Sequence, residues 1–272
     1  MSRIVLDGLA WEVRERGAGR PVLLIHGFTS RGSGWGAHAA AFARRFRVIV
    51  VDLPGHGRSA IPSDPVRAGV ERTAADLATI LRVLDGAPAS VVGYSLGARV
   101  ALALAVDHPD VVRRLVLESP SAGIAGAGDR AARRDADARL AERVERDGIR
   151  AFVDDWERQP VFASHSRLPP RIAARLRAER LANRPAGLAA SLRGAGQGSM
   201  LPLHDRLAEV GAPTLVIAGA LDAAGRERAA AVAAGIPGAR LAVIDGAGHT
   251  PHLETPAAFR SLAIEALLED AA

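Results

Sequence analysis

The stretch Gly93-Tyr94-Ser95-Leu96-Gly97 is where this chain is best suited to proton transfer or covalent chemistry. A serine hydroxyl is a weak nucleophile and a weak base until a histidine takes its proton and an acid orients that histidine. The pattern G-x-S-x-G serves such a role when a strand delivers it and a helix follows it. The glycines then let strand and helix approach closely, and the serine is pushed out on a strained turn. Both flanks are present: the apolar run from Ala89 to Val92 reads as a strand, and Ala98-Arg99-Val100-Ala101-Leu102-Ala103-Leu104-Ala105 as a helix. Gly-x-Ser-x-Gly alone turns up in loops by chance; the strand–turn–helix context sets this one apart.

With this kind of turn the acid and the histidine follow the serine along the chain. Asp222 comes just after the apolar run Leu215–Ala218, and His249 lies in Gly246-Ala247-Gly248-His249, just after Leu241–Ile244. Both fall at the ends of predicted strands, where ligand chemistry collects in open α/β sheets. Asp222 also reads as a helix N-cap, the commoner task for a loop aspartate, and Glu118, at another strand end, is a rival acid. His252 is the rival histidine. His249 is preferred because the glycines before it let the backbone bring the ring back over the sheet. An oxyanion would be held by the amide of Leu96, next to the serine, and that of Phe28, in His26-Gly27-Phe28-Thr29 after an earlier strand. His26 and His56 read as loop braces rather than proton carriers. Arg99, four residues beyond Ser95, occupies a helix turn where a cation has little reason to be. Its planar fork of donors suits carboxylates and points to an anionic substrate. Trp156 is either cap core or pocket wall, with core favoured by spacing.

The elements that position these residues alternate. Ile4-Val5-Leu6 and Trp11-Glu12-Val13-Arg14, separated by Asp7-Gly8, form a predicted hairpin. Pro21–Ile25 is a continuous apolar run, as expected of a strand buried on both faces of a parallel sheet, and Arg47–Val51 reads as a second buried strand. The second leads into Asp52-Leu53-Pro54-Gly55-His56-Gly57-Arg58-Ser59, rich in turn formers. A helix is predicted over Thr73–Leu84 and a further strand over Val111–Leu117. From about Ser119 to Met200 buried strands vanish; helices are predicted over Asp129–Arg146, Ile149–Glu157, Arg171–Asn183 and Gly187–Leu192, rich in arginine. Strands return at Pro213–Ala218 and Ala239–Ile244, and a last helix covers Pro256–Leu268. Strand–helix alternation means a mostly parallel sheet flanked by helices. The expected architecture is one α/β core, residues 1–118 and 201–272, with residues 119–200 inserted as a helical cap.

Composition narrows the function. The 272 residues hold enough apolar side chains for a sizeable core. Every cation is an arginine, and the formal net charge is only +5. The arginines are spread through helices beside Asp and Glu, and aromatics are scarce, so a nucleic-acid surface is not expected. Without cysteine there is neither a disulfide framework nor a thiolate metal site. No secretory leader and no membrane-spanning run is apparent, so the expected location is cytoplasmic. No integral membrane contact and no obligate protein partner is expected.

The motifs His26-Gly27-Phe28-Thr29, Asp52 to Ser59, Gly93 to Arg99 and Leu117-Glu118-Ser119-Pro120 together resemble α/β-hydrolases of the 2-succinyl-6-hydroxy-2,4-cyclohexadiene-1-carboxylate synthase family, which acts in menaquinone biosynthesis. Two cap stretches, Asp155 to Ser164 and Gly187 to Gly194, are similar to cap sequences of that family, and caps diverge fastest in this fold. The resemblance spans nearly the whole chain. It implies an α/β-hydrolase fold and a lyase that eliminates pyruvate from 2-succinyl-5-enolpyruvyl-6-hydroxy-3-cyclohexene-1-carboxylate, with no metal or organic cofactor. It also implies roles for Ser95, His249 and Asp222 in removing a proton from carbon, and for the amides of Phe28 and Leu96 in holding the negative charge that develops. Anion-binding arginines of the family map onto Arg99, Arg133 and Arg180, and its pocket positions onto Tyr94 and Trp156. Two departures stand out: Ala98 replaces a second glycine, and Ala223-Ala224-Gly225 replaces a Lys-Phe-like pair. The generic motifs alone equally fit a serine esterase or C–C bond hydrolase working through an acyl-enzyme. A non-catalytic receptor or scaffold is a further alternative, disfavoured because candidates for all three catalytic positions are present.

Overall fold

Apolar runs become strands here because both of their faces find a cover. The computed structural model describes residues 2–269; Met1 and residues 270–272, which the expected core limits include, lie outside the described residues. The first half of the chain contains β1 (Ser2–Leu6), β2 (Leu9–Arg16), β3 (Pro21–Ile25), α1 (Gly36–Phe42), β4 (Arg47–Val51) and α2 (Val70–Val83). It continues with β5 (Ala89–Tyr94), α3 (Leu96–Asp107) and β6 (Val112–Glu118). Three helices follow, α4 (Ala127–Glu157), α5 (Pro170–Leu181) and α6 (Pro185–Ala195). The chain returns to the sheet through β7 (Thr214–Gly219), α7 (Ala223–Gly235) and β8 (Arg240–Ile244), and closes with α8 (Pro251–Glu254) and α9 (Pro256–Leu268).

One sheet holds all eight strands in the order β1-β2-β4-β3-β5-β6-β7-β8. The hairpin strands join antiparallel, and every pair from β4 to β8 is parallel. Successive side chains on a strand point to opposite faces, and the two hydrophobic clusters divide accordingly. Leu23 and Ile25 of β3, with Val91 of β5 and Leu115 and Leu117 of β6, pack under α2 and α3. Their neighbours Val22, Leu24, Val92 and Val116 pack with Phe42 of α1 and Phe259 of α9. The strand order reverses between β3 and β5, and the crevice beyond their carboxyl ends is the preferred ligand position in such a sheet. The residues that follow those two strands are His26 to Thr29 and Ser95.

The helices between β6 and β7 have a small core of their own. Ala141, Val144, Phe152 and Val153 of α4 pack with Leu188, Ala189 and Leu192 of α6. Gly148, at φ 79° and ψ 175°, bends α4 so that residues on either side of it reach that core. Polar contacts tie the segment to the sheet: Asn183 Nδ2 donates to Thr29 O at 2.7 Å, and Ser30 Oγ to Glu179 Oε1 at 2.6 Å. Among the described residues no helix is long and apolar enough to cross a membrane.

Three helices, α1, α7 and the short α8, are absent from the sequence-based expectation, and α2 begins one turn earlier than Thr73. β8 is a half-exposed edge strand, with Leu241 and Val243 turned largely to solvent.

The turn from β5 into α3 is the tightest junction of the fold. Ser95 sits at φ 50°, a region that residues with a side chain rarely enter. A Cβ on Gly93 would stand 2.4 Å from the Gly97 carbonyl oxygen, and one on Gly97 only 2.2 Å from that of Ile25. Both obstacles are backbone and cannot rotate away. Gly97→Ala should therefore destabilise the protein by about 3 kcal/mol, the upper end of overpacking costs, read as a lower urea midpoint with an unchanged m-value. Ala98, already fully buried one residue later, shows that a methyl is tolerated beside this contact but not at it.

Candidate active site

Three strand ends bring Ser95, His249 and Asp222 together. Ser95 Oγ lies 3.1 Å from His249 Nε2, and His249 Nδ1 lies 2.7 Å from Asp222 Oδ2. A carboxylate can only accept, so Nδ1 carries the proton and Nε2 presents its lone pair to the serine hydroxyl. Asp222 also caps α7: its Oδ1 accepts from Gly225 N at 2.8 Å. The capping and orienting readings of this residue therefore both hold, one oxygen for each. Burial pushes the Asp222 carboxyl up, but the bonds from His249 and the Gly225 amide outweigh it and hold the group below the usual carboxylate range.

The rival acid and the rival histidine find each other. Glu118, fully buried, accepts from both the amide and Nδ1 of His252, at 2.8 and 2.9 Å. Two acid–histidine pairs thus lie side by side, with the Tyr94 ring packed against both histidines. Only the Asp222–His249 pair reaches Ser95. The loop carrying His249 is gripped further by Ser119 Oγ, which donates to His249 O at 2.9 Å. Glu254 holds it from the other side, accepting from Gly248 N at 2.7 Å and Thr250 N at 2.9 Å. Glu254 carries no plain signal in the sequence, because Thr250-Pro251-His252-Leu253-Glu254 is one residue longer than a capping box.

His26 and His56 brace loops, as expected. His26 Nε2 accepts from Leu53 N at 2.9 Å and Nδ1 donates to Gly27 O at 2.8 Å, joining the loops after β3 and β4. His56 Nδ1 donates to Pro54 O at 3.0 Å. These bonds hold the segment carrying Phe28, whose ring stands edge-on to Trp156 at 5.2 Å.

A cavity of about 290 Å³ opens above Ser95 and His249. Phe28, Tyr94, Leu96, Arg99, Arg133 and Trp156 all contribute to its wall. Trp156 belongs to the small helical core as well, stacked on Phe152. Arg99 is buried, and its Nη1 donates to Ala195 O at 2.7 Å. Burial, with the charge of Arg133 adding to it, lowers its pKa to about 10, so it remains a cation at neutral pH. Arg133 Nε donates to Asp137 Oδ1 at 2.9 Å. Arg180 does not line this cavity: it is buried behind Phe162, its guanidinium 4.9 Å from that ring, with Nη1 donating to Glu157 at 3.1 Å. Arg228 of α7 does line it, and the sequence reading missed it together with its helix. Among the described residues no group of three or more His, Asp or Glu side chains is arranged to hold a metal ion.

A strained serine elbow, a histidine–carboxylate pair on later strand ends and a parallel sheet with inserted helices define an α/β-hydrolase, and residues 20–256 match the alpha/beta hydrolase fold family. Two curated relatives narrow this. A Bacillus subtilis (strain 168) protein provisionally named 2-succinyl-6-hydroxy-2,4-cyclohexadiene-1-carboxylate synthase is 36% identical, covering 97% of this chain and 96% of its own. The synthase of that name from Klebsiella pneumoniae (strain MGH 78578) is 33% identical over 87% of this chain and 89% of its own. Among solved structures, MenH from S. aureus superposes with a TM-score of 0.90 at 32% identity, covering 94% of this chain and 97% of its own. The chain belongs to the 2-succinyl-6-hydroxy-2,4-cyclohexadiene-1-carboxylate synthase family within the α/β-hydrolase fold.

Buried histidines make stability depend on pH, among them His56 and His38 of α1, whose Nε2 donates to His252 O at 2.8 Å. Burial, reinforced by a neighbouring histidine in each case, lowers His38 and His56 from 6.5 to about 3. Both are neutral when folded, whereas the unfolded chain protonates them near their ordinary value. Between those limits the unfolded state binds more protons, so their contribution is complete above about pH 6.5 and is lost as pH falls toward 3. The slope is about 1.4 kcal/mol per pH unit for each histidine. Urea midpoints should fall steadily from pH 7.5 to 5, and His56→Gln should flatten that trend; a flat wild-type profile would contradict the assignment.

Proposed function

We propose that this chain eliminates pyruvate from 2-succinyl-5-enolpyruvyl-6-hydroxy-3-cyclohexene-1-carboxylate, with residues 119–200 acting as a cap over the α/β core. The observation that carries the reading is the cavity itself, in which a buried arginine, Arg99, and the cap's Arg133 share one wall with a serine–histidine–aspartate array. A desolvated guanidinium is costly unless an anion meets it, and this substrate is a tricarboxylate. The chain's place in the synthase family supports the same reaction.

The ring carbon bearing the succinyl group is acidic because its carbanion is an enolate of the succinyl ketone. His249, oriented by Asp222, accepts the Ser95 proton as Ser95 Oγ takes the proton from that carbon. The amides of Phe28 and Leu96 hold the enolate oxygen in a preorganised, poorly solvated setting, where such donors act most strongly. The electron pair then moves through the ring double bond and expels the enolpyruvyl oxygen at the allylic carbon, leaving the conjugated diene. Enolpyruvate takes a proton on its methylene carbon and becomes pyruvate, so no net proton is gained or lost. No bond to Ser95 forms. The proposed setting is the cytoplasm, with a free small-molecule substrate and no partner protein.

Purified protein supplied with the authentic substrate should release pyruvate, followed by a coupled dehydrogenase assay; no release above background overturns the reading. Ser95→Ala and His249→Ala should each lower kcat by about 100-fold or more, in the range of general-base catalysis. Rapid turnover of simple esters with a trapped acyl group on Ser95 would instead identify an esterase.

A further inference from the structure

Among the described residues the cavity above Ser95 is lined by three arginines, Arg99, Arg133 and Arg228, and one acid, Asp137. We propose that Arg228 binds the third carboxylate of the substrate, the one that leaves with pyruvate. The assignment rests on the reaction proposed above, whose substrate carries one carboxylate on the ring, one on the succinyl chain and one on the enolpyruvyl group.

Arg180, the third arginine that family resemblance counts among the anion binders, is otherwise engaged. It donates to Glu157 and lies over the Phe162 ring, and of the two only Phe162 lines the cavity. Arg228 is exposed, and no salt bridge engages it among the described residues; its charge is felt only at a distance by Asp222. Arg226, the one other cation between Asp222 and Arg228, does not line the cavity.

Position then decides which carboxylate. Arg99 is buried on α3 and Arg133 is paired to Asp137 on α4. Arg228 stands where the cavity adjoins a surface groove of about 560 Å³, because it and Val161 line both, and the groove runs on past Arg167, Leu221 and Ala224. When the ring–oxygen bond breaks, the electron pair goes to the enolpyruvyl oxygen and the departing fragment carries its carboxylate away while the diene stays bound. A guanidinium at the shared edge of cavity and groove holds that carboxylate during bond cleavage and lies on its route to solvent. Arginine's planar fork of donors matches the carboxylate.

Steady-state kinetics and direct pyruvate titration of wild type, Arg228→Gln and Arg226→Gln test this. Loss of one charge-assisted contact should raise KM about tenfold in Arg228→Gln and weaken product inhibition by pyruvate by a similar factor. The kcat pH profile should be unchanged and Arg226→Gln should behave as wild type. Arg228→Lys should recover part of the loss. An Arg228→Gln protein with wild-type KM and wild-type pyruvate inhibition overturns the assignment, and so does a loss confined to kcat with a displaced pH profile, which would mean that Arg228 acts through Asp222. If wild type turns over, these outcomes leave the reaction standing; if wild type releases no pyruvate, reaction and assignment fall together.

Discussion

The backbone contact between Gly97 at the head of α3 and the carbonyl of Ile25 at the end of β3 is the constraint on which the rest of this molecule depends. It presses the helix onto the sheet closely enough that Ser95 must turn at positive φ, and such strain persists only where the surroundings over-determine it. The same contact draws together the loop after β3 and the start of α3, so that Phe28 and Leu96 line one cavity. In the proposed reaction the closeness of the serine to the amides of these two residues is thus a property of the core rather than of flexible loops.

Around that junction the polar groups are organised in two acid–histidine pairs with different surroundings. Asp222 and His249 face the cavity and extend the chain of hydrogen bonds to Ser95. Glu118 and His252 lie behind them, fully or nearly buried, and fix the loop on which His249 rides. A histidine that must shuttle a proton needs a ring held in one orientation and a backbone that does not drift. Ser119, Glu118 and Glu254 supply that backbone restraint from three sides. Arg133 of α4 and Arg99 of α3 add positive charge to the cavity wall, and under the proposed reaction these two guanidiniums are what turn machinery common to hydrolases toward a polyanion.

The strands were legible because their signal is local. Pro21–Ile25 and Val48–Val51 are apolar throughout and Ala89–Val92 is broken only by Ser90, a pattern that a sheet covered on both faces buries, and the turn chemistry around Gly93 and Gly97 marks the junction. α7 carries no such signal, for an equally local reason: alanine occupies its exposed positions 223, 224, 231 and 234 as well as buried position 229, so no apolar stripe stands out. Arg228 was lost with it. Glu118 and Asp222 were indistinguishable as acids because both end strands of the same sheet; their partners are set by which loop each strand end faces.

What the sequence by itself determined is the set of groups and their order: a serine elbow between strand and helix, later strand ends bearing Asp222 and His249, an arginine on the elbow helix, and a helical segment between β6 and β7. These follow from periodicity, glycine placement and chain order, which are one-dimensional. Tertiary structure alone decided the pairing of Glu118 with His252, the double use of Asp222, the withdrawal of Arg180 behind Phe162 and the arrival of Arg228 at the cavity. Each of those depends on the relative placement of elements far apart in the chain, and hydrogen-bond and charge energies change over ångströms that no spacing of residues along a sequence records.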